Sequence, residues 1–425
     1  MSYQDDQLNQ LMRETLAGSP DLAIAQARVQ RAQAMAEVAG AQLLPQVSAM
    51  GTVTSQRLSY NYLTPAASVT RDWNQFGQAA LNISWEIDFW GKYRAGLAAA
   101  TSELEARLAD QAQAALVLTT ATASAYAELA RLFAQKEATE RAVAIREKTA
   151  SLFAERFTHG LETRGGVREA DAKGAQAKTD LLILNEQIAL QRNRLAALVG
   201  AGPDRGLSVK RPSVTLSQAL GLPDRLAAEL LGRRPDVAAA RAQAQAQAAR
   251  IDQKQADFYP NINLAGFIGL QSLGLDRLGQ SGSVFGSVGP AISLPIFTGG
   301  RLQGELKGAR ASYDEAVANY NRTLVHAFQD VADAVTSLKA LSGQIEQAEL
   351  GLTAAQEAFQ IASNRYRGGL SNYLDVLIAE DIMLSSLRSV TELRARRFSL
   401  NVALVRALGG GYRSSNTNPL ISPRS

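Results

Sequence analysis

Two stretches in each half of the chain alternate between apolar and polar residues, which is the pattern of amphipathic β-strands. In the first half, residues 46–54 form an outgoing strand and residues 78–89 a return strand, joined by a polar loop. In the second half, residues 261–270 and 284–296 repeat this arrangement around a Gly/Ser-rich loop. The pattern therefore predicts two β-hairpins whose strands are roughly ten residues long, enough to cross a bilayer when tilted.

The apolar side chains of these strands fall on one face, and small polar residues such as Asn82 and Ser84 fall on the other. The predicted membrane-facing residues are Leu81, Ile83, Trp85, Ile87, Phe89, Ile262, Leu264, Ile292 and Leu294. An open sheet edge is forbidden in lipid because its amide groups would lack partners, and the smallest bacterial barrels use about eight strands. Strands that span a membrane must therefore come from several subunits. Two ordinary hairpins packed on a water-soluble core are the alternative.

Long helices are predicted for most of the remaining chain. No proline occurs between Gly91 and Pro203, and glycines at 160, 165 and 166 mark a single break. A first helix is therefore predicted over residues 92–157, with a matching helix over residues 301–366. At a rise of about 1.5 Å per residue, each is on the order of 100 Å long.

The second long helix carries a regular apolar seam. From Tyr313 to Tyr366, apolar residues and alanines recur at alternating steps of four and three residues, as in a coiled coil. Shorter helices are predicted over residues 168–199 and 375–408. Each half of the chain therefore ends in a helix–turn–helix hairpin.

The two halves are copies of one unit. Ser19-Pro20-Asp21 reappears as Arg234-Pro235-Asp236, and Gly160-Leu161 reappears as Gly369-Leu370. Chance similarity between Ala-rich helices is the alternative, but proline, glycine and aromatic positions match as well. An internal twofold repeat is therefore predicted.

Composition narrows the function. Of the 425 residues, 46% are hydrophobic but only 6% aromatic, which favours long helices in close contact over a bulky core. A net charge of +4 and the lack of a basic stripe do not indicate nucleic acid. There is no cysteine and only His159 and His326, and no nucleophile–base pair or phosphate loop is visible. We therefore expect no enzyme activity, no metal and no cofactor.

Five signatures lie in order along the chain: WEIDFWGK at 85–92, RRPDV at 233–237, FYP at 258–260, LPIFTGGR at 294–301 and ALGGG at 407–411. With them, the chain resembles the TolC-type outer-membrane efflux channels, in particular the OprM/NodT branch that serves resistance-nodulation-division pumps. The resemblance runs from about Tyr3 to about Tyr412, which is nearly the whole chain.

This resemblance implies a fold that is mainly α with a transmembrane β part. It implies a homotrimer with a twelve-stranded β-barrel, four strands from each chain, in the Gram-negative outer membrane and a long α-helical coiled-coil barrel in the periplasm. The segments expected are 1–45, the N-terminal segment and first barrel helix; 46–90, the first hairpin; 91–199, helices with a tip at 157–167; 200–223, an equatorial connector; 224–259, the first helix of the second copy; 260–298, the second hairpin; 299–408, helices with a tip at 366–374; and 409–425, a C-terminal tail.

The function implied is a passive export duct for drugs or other small toxic compounds. The implied partners are a periplasmic adaptor (membrane-fusion) protein, an inner-membrane proton-driven efflux pump and the lipid bilayer, with no nucleic acid. A soluble antiparallel coiled-coil scaffold without a membrane part is the alternative, but a scaffold gives no reason for the apolar strand face. The exported compound and the particular pump and adaptor are not readable from the sequence.

The resemblance also assigns the helical tips. The residues expected to dock the adaptor or pump are Arg156, Gly160, Leu161, Glu162, Thr163, Val167, Arg365, Gly369, Leu370 and Ser371. The residues expected at the periplasmic gate are Asp375, Tyr366, Arg367, Tyr373, Glu380 and Asp381. Ile378 and Gly166 stand where relatives often have further gate aspartates. Arg367, Glu380 and Asp381 are therefore expected to supply the missing gate salt bridges, while the open or closed state of the gate stays undecided.

Relatives also carry an N-terminal signal peptide, and often an acylated cysteine, before the segment that matches Tyr3 to Leu11. The first residues here show no signal-peptide pattern. The resemblance therefore leaves open whether the native N-terminus is a lipidated cysteine.

Overall fold

The computed structural model describes residues 5–59, 72–213 and 234–412. Parts of the expected connector (200–223), of the expected helix 224–259 and of the C-terminal tail (409–425) lie outside the described residues, as does Arg233.

The described chain is mainly helical with a small sheet. Its elements in order are α1 (Asp6–Gly18), α2 (Pro20–Ala41), β1 (Gln46–Gln56), β2 (Asn74–Glu86), α3 (Lys92–Thr158), α4 (Arg164–Leu198), α5 (Pro203–Leu207), α6 (Pro235–Ala256), β3 (Asn261–Leu273), β4 (Val284–Ser293), α7 (Arg301–Arg367) and α8 (Tyr373–Ala407). The long helices α3 and α7 contain the same number of residues, 67 each, as expected for two copies of one unit. The predicted long helices and hairpin strands are confirmed, with small changes at their ends.

Two helices begin earlier than the sequence pattern indicated. Helix α4 begins at Arg164 and α8 at Tyr373, because the residue before each helix caps it. The side chain of Thr163 accepts the backbone N–H of Gly166 at 3.1 Å, and that of Asn372 accepts the N–H of Asp375 at 3.1 Å.

Two strands end earlier than predicted, so three of the residues expected to face the membrane lie outside the strands. Strand β2 ends at Glu86 and β4 at Ser293, so Ile87, Phe89 and Leu294 lie just beyond the strands. After β2 the chain turns because the Asp88 carboxylate accepts the first backbone N–H groups of α3, from residues 93 and 94, at 3.2 and 2.9 Å. After β4, Pro295 cannot donate a ladder hydrogen bond.

The four strands form one antiparallel sheet in the order β1-β2-β3-β4. Paired residues share a face, and Ile83 of β2 lies opposite Val47 of β1 and Gly266 of β3. The same register aligns Leu81 with Ile268. All predicted membrane-facing residues that lie within strands therefore fall on one face of the sheet, which we call the apolar face: Leu81, Ile83, Trp85, Ile262, Leu264 and Ile292.

The chain divides into two units. Of the described residues, the strand unit comprises 28–59, 72–108 and 239–321 and contains the sheet. The helical unit comprises the described residues 5–27, 109–213, 234–238 and 322–412. Its main core gathers side chains from α1, α3, α4 and α8: Leu8, Leu11, Tyr126, Leu129, Leu195, Phe398 and Val402.

A buried polar network ties α1 into the helical unit. Asp5 is 2% exposed and caps α1 by accepting the N–H of Leu8 at 3.0 Å. Its carboxylate also accepts the hydroxyls of Tyr126 at 2.9 Å and Ser213 at 2.8 Å. Burial pushes the pKa of Asp5 upward, but these hydrogen bonds outweigh it and hold the pKa below its usual value.

Within the described part of the chain, no helix combines the length and the apolar character that crossing a membrane requires.

Candidate functional site

Both helix–turn–helix tips close with the same hydrogen-bonded turn. At the first tip, between α3 and α4, the N–H of Leu161 donates to the carbonyl of Arg156 at 2.9 Å. At the second tip, between α7 and α8, Leu370 donates to Arg365 at 2.8 Å. This bond is the mark of a Schellman turn, which places its penultimate residue in the left-handed region. Gly160 (φ 69°) and Gly369 (φ 71°) occupy that position.

Each turn presents one leucine to its surroundings. Leu161 is 65% exposed and Leu370 is 74% exposed, although both are large apolar side chains. Of the other residues expected to dock a partner, the exposed ones are Gly160, Thr163, Arg365 and Gly369, and the half-buried ones are Arg156, Glu162, Val167 and Ser371. The structure thus brings the ten residues to two equivalent turns with an apolar tip.

Just behind the turns, an apolar cluster joins all four helices of the two hairpins. It consists of Phe153 of α3, Ala170 of α4, Tyr366 of α7 and Tyr373, Val376 and Leu377 of α8. The Tyr373 ring lies edge-on to Phe153 at 4.2 Å and to Tyr366 at 5.2 Å. The Arg156 guanidinium lies over the Tyr366 ring at 5.1 Å. We call this set the tip core.

Two of the expected gate residues, Tyr366 and Tyr373, belong to the tip core. Tyr366 and Tyr373 are only 7% and 9% exposed, so both rings pack inside the chain. Burial raises the pKa of Tyr373 to about 12 and also raises that of Tyr366, so both hydroxyls stay neutral at physiological pH.

A cluster of four charges lies further along the same helices, and we call it the charge cluster. Arg146 of α3 lies between Glu380 and Asp381 of α8, with its Nε 3.0 Å from Glu380 Oε1 and its Nη2 in contact with Asp381. Lys173 of α4 lies 3.3 Å from Asp381. In this conformation the side chain of Glu380 is fully buried within the chain, so it does not line an open aperture. Its expected part in the gate salt bridges stays a prediction.

The two acids of the charge cluster differ in electrostatic environment. Burial raises the pKa of Glu380, and the attraction of Arg146 only partly offsets this. Burial also pushes the pKa of Asp381 upward, but the hydrogen bond from Arg146 and the charge of Lys173 outweigh it and lower the pKa. Arg146 and Lys173 were not predicted from the sequence, because each lies more than 200 residues from its partner and no local pattern marks the pairing.

The remaining expected gate residues are accessible. Asp375 and Arg367 are exposed beside the second turn. Leu374, Ile378 and Ile382 are also exposed and lie on the same side of α8, at four-residue spacing. Asp375 is thus a carboxylate beside an apolar stripe, at the tip of the hairpin.

The sheet of the strand unit has two different faces. On the apolar face, Leu81 is 54% exposed and Ile83 is 44% exposed, while Trp85 is half-buried and donates its indole N–H to the Leu43 carbonyl at 3.0 Å. The opposite face is lined mainly by Gln, Asn, Ser and Thr side chains, with one aromatic pair, Phe267 and Phe285, at 5.1 Å. An apolar outer face and a polar inner face are typical of strands that separate lipid from a wet lumen.

An amphipathic sheet of this kind, in a chain with helices of 67 residues, is typical of a channel-type membrane protein. Residues 11–201 and 226–410 match the family described as outer membrane efflux protein, one match for each half of the chain. The chain belongs to this family.

Individual relatives agree with this assignment over almost the whole chain. The crystal structure of the outer membrane protein VceC from Vibrio cholerae superposes with a TM-score of 0.92 at 46% identity, covering 97% of this chain and 98% of VceC. The multidrug resistance outer membrane protein MdtP of Escherichia coli is 32% identical, covering 97% of this chain and 86% of MdtP. The pyoverdine export outer membrane protein OpmQ of Pseudomonas aeruginosa is 31% identical, covering 96% and 86%.

The chain is therefore a TolC-type efflux channel subunit of the Gram-negative outer membrane, with its helical part in the periplasm. The predicted resemblance, the mainly helical fold and the efflux function are confirmed. Membership of this family argues against the alternative interpretation, a soluble antiparallel coiled-coil scaffold without a membrane part. It also places the chain among channel proteins rather than among enzymes.

Proposed function

We propose that three copies of this chain form a passive export duct that crosses the periplasm and the outer membrane. In this arrangement the three sheets close into one twelve-stranded barrel in the outer membrane, and the helical hairpins form a tunnel in the periplasm. The duct works with a periplasmic adaptor protein and a proton-driven pump of the inner membrane, which supply the cargo and the energy.

The observation that carries this proposal is the open sheet. Among the described residues, β1 and β4 each pair with one strand only, so both edges of the sheet are free for another chain. The apolar face reaches both edges, with Val47 of β1 64% exposed and Ile292 of β4 69% exposed. Because lipid cannot satisfy the free amide groups of an edge, the sheet is stable in a membrane only when copies of the chain pair edge to edge.

The two tips are proposed as the docking surface for the adaptor. Leu161 and Leu370 stand on equivalent turns of the two repeats, so a trimer presents six such leucines around its periplasmic end. An exposed leucine on a rigid turn fits an apolar pocket of a partner, and the neighbouring Arg156 and Arg365 supply charge for orientation.

Asp375 is proposed as the gate carboxylate. It is exposed at the start of α8, where a threefold axis would turn it into a ring of three. Such a ring attracts cations and repels anions at a constriction. Because Tyr366 and Tyr373 pack into the tip core, they act by holding the α7–α8 hairpin in place rather than by lining the aperture.

The cargo is proposed to be set by the pump rather than by the duct. MdtP is named for multidrug resistance and OpmQ for pyoverdine export, yet both are similar to this chain along nearly its full length. Drugs and other small toxic compounds are therefore the cargo class that this family relation supports.

Reconstitution of the purified chain into planar lipid bilayers tests the proposal. We expect discrete conductance steps that favour cations over anions, because the constriction carries carboxylates. Extraction of the protein from cells without detergent, together with the absence of conductance steps, would contradict the proposal.

A further inference from the structure

Glu380 is the most deeply buried acid of the charge cluster, and it is poorly provided with hydrogen bonds. The residue is 0% exposed. Arg146 Nε lies 3.0 Å from its Oε1, but the two groups are misaligned, and among the described residues no donor is in hydrogen-bonding geometry with either carboxylate oxygen. The Nη1 atom of Arg146 is likewise buried without a hydrogen-bond partner in the described chain.

The neighbouring acid, Asp381, receives the hydrogen bonds of the charge cluster instead. Asp381 has a half-exposed side chain and receives hydrogen bonds from both Arg146 and Lys173. The charge cluster therefore neutralises Asp381 well and leaves the ionised form of Glu380 with one close but misaligned cation, Arg146. A buried carboxylate in this situation is favoured in its neutral form, since charge without hydrogen bonds is costly in an apolar interior.

The position of Glu380 links its protonation to the packing of the two hairpins. Arg146 belongs to α3 and Lys173 to α4, whereas Glu380 and Asp381 belong to α8. Any separation of α8 from α3 and α4 would bring water to Glu380 and return its pKa towards the ordinary value. By linkage, the packed arrangement then binds a proton more tightly than the separated one.

The internal repeat shows that burial of this acid is specific to the second hairpin. The position equivalent to Glu380 in the first copy is Asp171, which follows from the match of Gly160-Leu161 with Gly369-Leu370. Asp171 is exposed and pairs with Arg168 of its own helix at 3.1 Å. The repeat therefore provides an acid at the same place on a hairpin that lacks the buried environment.

We propose that Glu380 is a proton-controlled latch between the α3–α4 and α7–α8 hairpins, which holds the tips closed when protonated and favours their opening when ionised. The proposal rests on the proposed function, because it assumes that separation of the hairpins widens the aperture of the duct.

The direction of the pH effect follows from the charges around Glu380. The groups that face it are Arg146 from α3, Lys173 from α4, and Asp381 and Tyr373 from α8. Arg146 and Lys173 favour the ionised form and Asp381 opposes it, while burial, the largest effect, raises the pKa. Stability contributed by a group with a raised pKa is present at acidic pH and is lost as the pH rises through that pKa. The closed state is therefore strongest in acid and weakens towards neutral pH.

Single-channel recording of the full chain between about pH 5 and pH 8 tests the latch, with the variants Glu380→Gln and Asp171→Asn measured alongside. For the wild type, we expect the ratio of open to closed time to rise with pH, by up to about tenfold for each unit of pKa difference between the packed and separated arrangements. Glu380→Gln should show the low acid value at every pH, because the amide cannot ionise. Asp171→Asn should keep the wild-type pH dependence.

A second measurement keeps the test decisive if Glu380→Gln does not insert into bilayers. Thermal unfolding in detergent should give Glu380→Gln a higher melting temperature than the wild type near pH 7.5, and the difference should vanish in acid. A wild-type pH dependence in Glu380→Gln, or its loss in Asp171→Asn, would overturn the latch. A wild type without any conductance would instead overturn the channel itself, so the two failures are distinguishable.

Discussion

Three buried or exposed acids show how position decides what a carboxylate does in this chain. Asp5 is buried with hydrogen bonds from Leu8, Tyr126 and Ser213, and it serves as a structural cap. Glu380 is buried without such bonds and is therefore sensitive to protonation. Asp375 is exposed at a helix start, where its charge acts on the surroundings rather than on the fold.

Replacement of Asp375 by alanine tests its place in the gate. If three copies of this carboxylate surround the aperture, their removal lowers the electrostatic barrier to anions and widens the constriction. We expect Asp375→Ala to raise the single-channel conductance in planar bilayers and to reduce the preference for cations. The exposed acid Glu169 of α4 provides the control, since Glu169→Ala should leave both quantities unchanged. Unchanged conductance in Asp375→Ala would remove this residue from the gate.

At the scale of elements, the sheet shows how one register sorts neighbouring residues into different surroundings. Ile83 and Ser84 are adjacent and both exposed, but they lie on opposite faces of β2. Ile83 shares its face with Val47, whereas Ser84 shares its face with Gln46. In the proposed barrel the first faces lipid and the second faces the lumen.

This difference predicts opposite outcomes for the same charged substitution. Ile83→Lys places an ammonium group against hydrocarbon and should lower the free energy of unfolding in lipid vesicles by about 2–4 kcal/mol near the bilayer midplane. Ser84→Lys should stay close to the wild type because the lumen is wet. Urea titration of the vesicle-inserted protein measures both. Equal losses in the two variants would mean that the apolar face does not contact lipid.

Much of this element structure could be predicted from the sequence, because it depends on local patterns. The alternation around Ile83 predicts a strand, and the glycines at 160 and 369 predict the turns that the structure contains. The ends of elements were less predictable, since they depend on single capping contacts. Thr163 and Asn372 cap two helices, which therefore begin earlier than predicted. Asp88 accepts a backbone N–H at the start of α3, so the chain turns after β2.

The candidate site was only partly predictable for a related reason. The tips follow from the turn residues, but the tip core and the charge cluster depend on contacts between helices far apart in the chain. Arg146 and Glu380 are 234 positions apart, and nothing in either local sequence indicates that they meet. For the same reason the sequence did not indicate that Tyr366 and Tyr373, expected at the gate, pack against each other and that Tyr373 also packs against Phe153.

At the scale of the whole molecule, the single chain leaves large apolar surfaces uncovered. In the strand unit, Val288 of β4 is 78% exposed. In the helical unit, Leu182 of α4 and Val325 of α7 are 69% and 65% exposed. Apolar surface on this scale marks contact with lipid or with other protein chains. In the proposed trimer, lipid covers the apolar face of the sheet, and neighbouring copies cover these exposed positions of α4 and α7.

The number of chains in the membrane-extracted complex tests the central claim most directly. Native mass spectrometry of the protein in detergent gives this number without assumptions about shape. Four strands per chain must be completed by neighbours to close a barrel. Because the proposed duct contains three chains, we predict a complex with the protein mass of three chains. A stable monomer with the mass of one chain, recovered from the soluble fraction without detergent, would contradict the account.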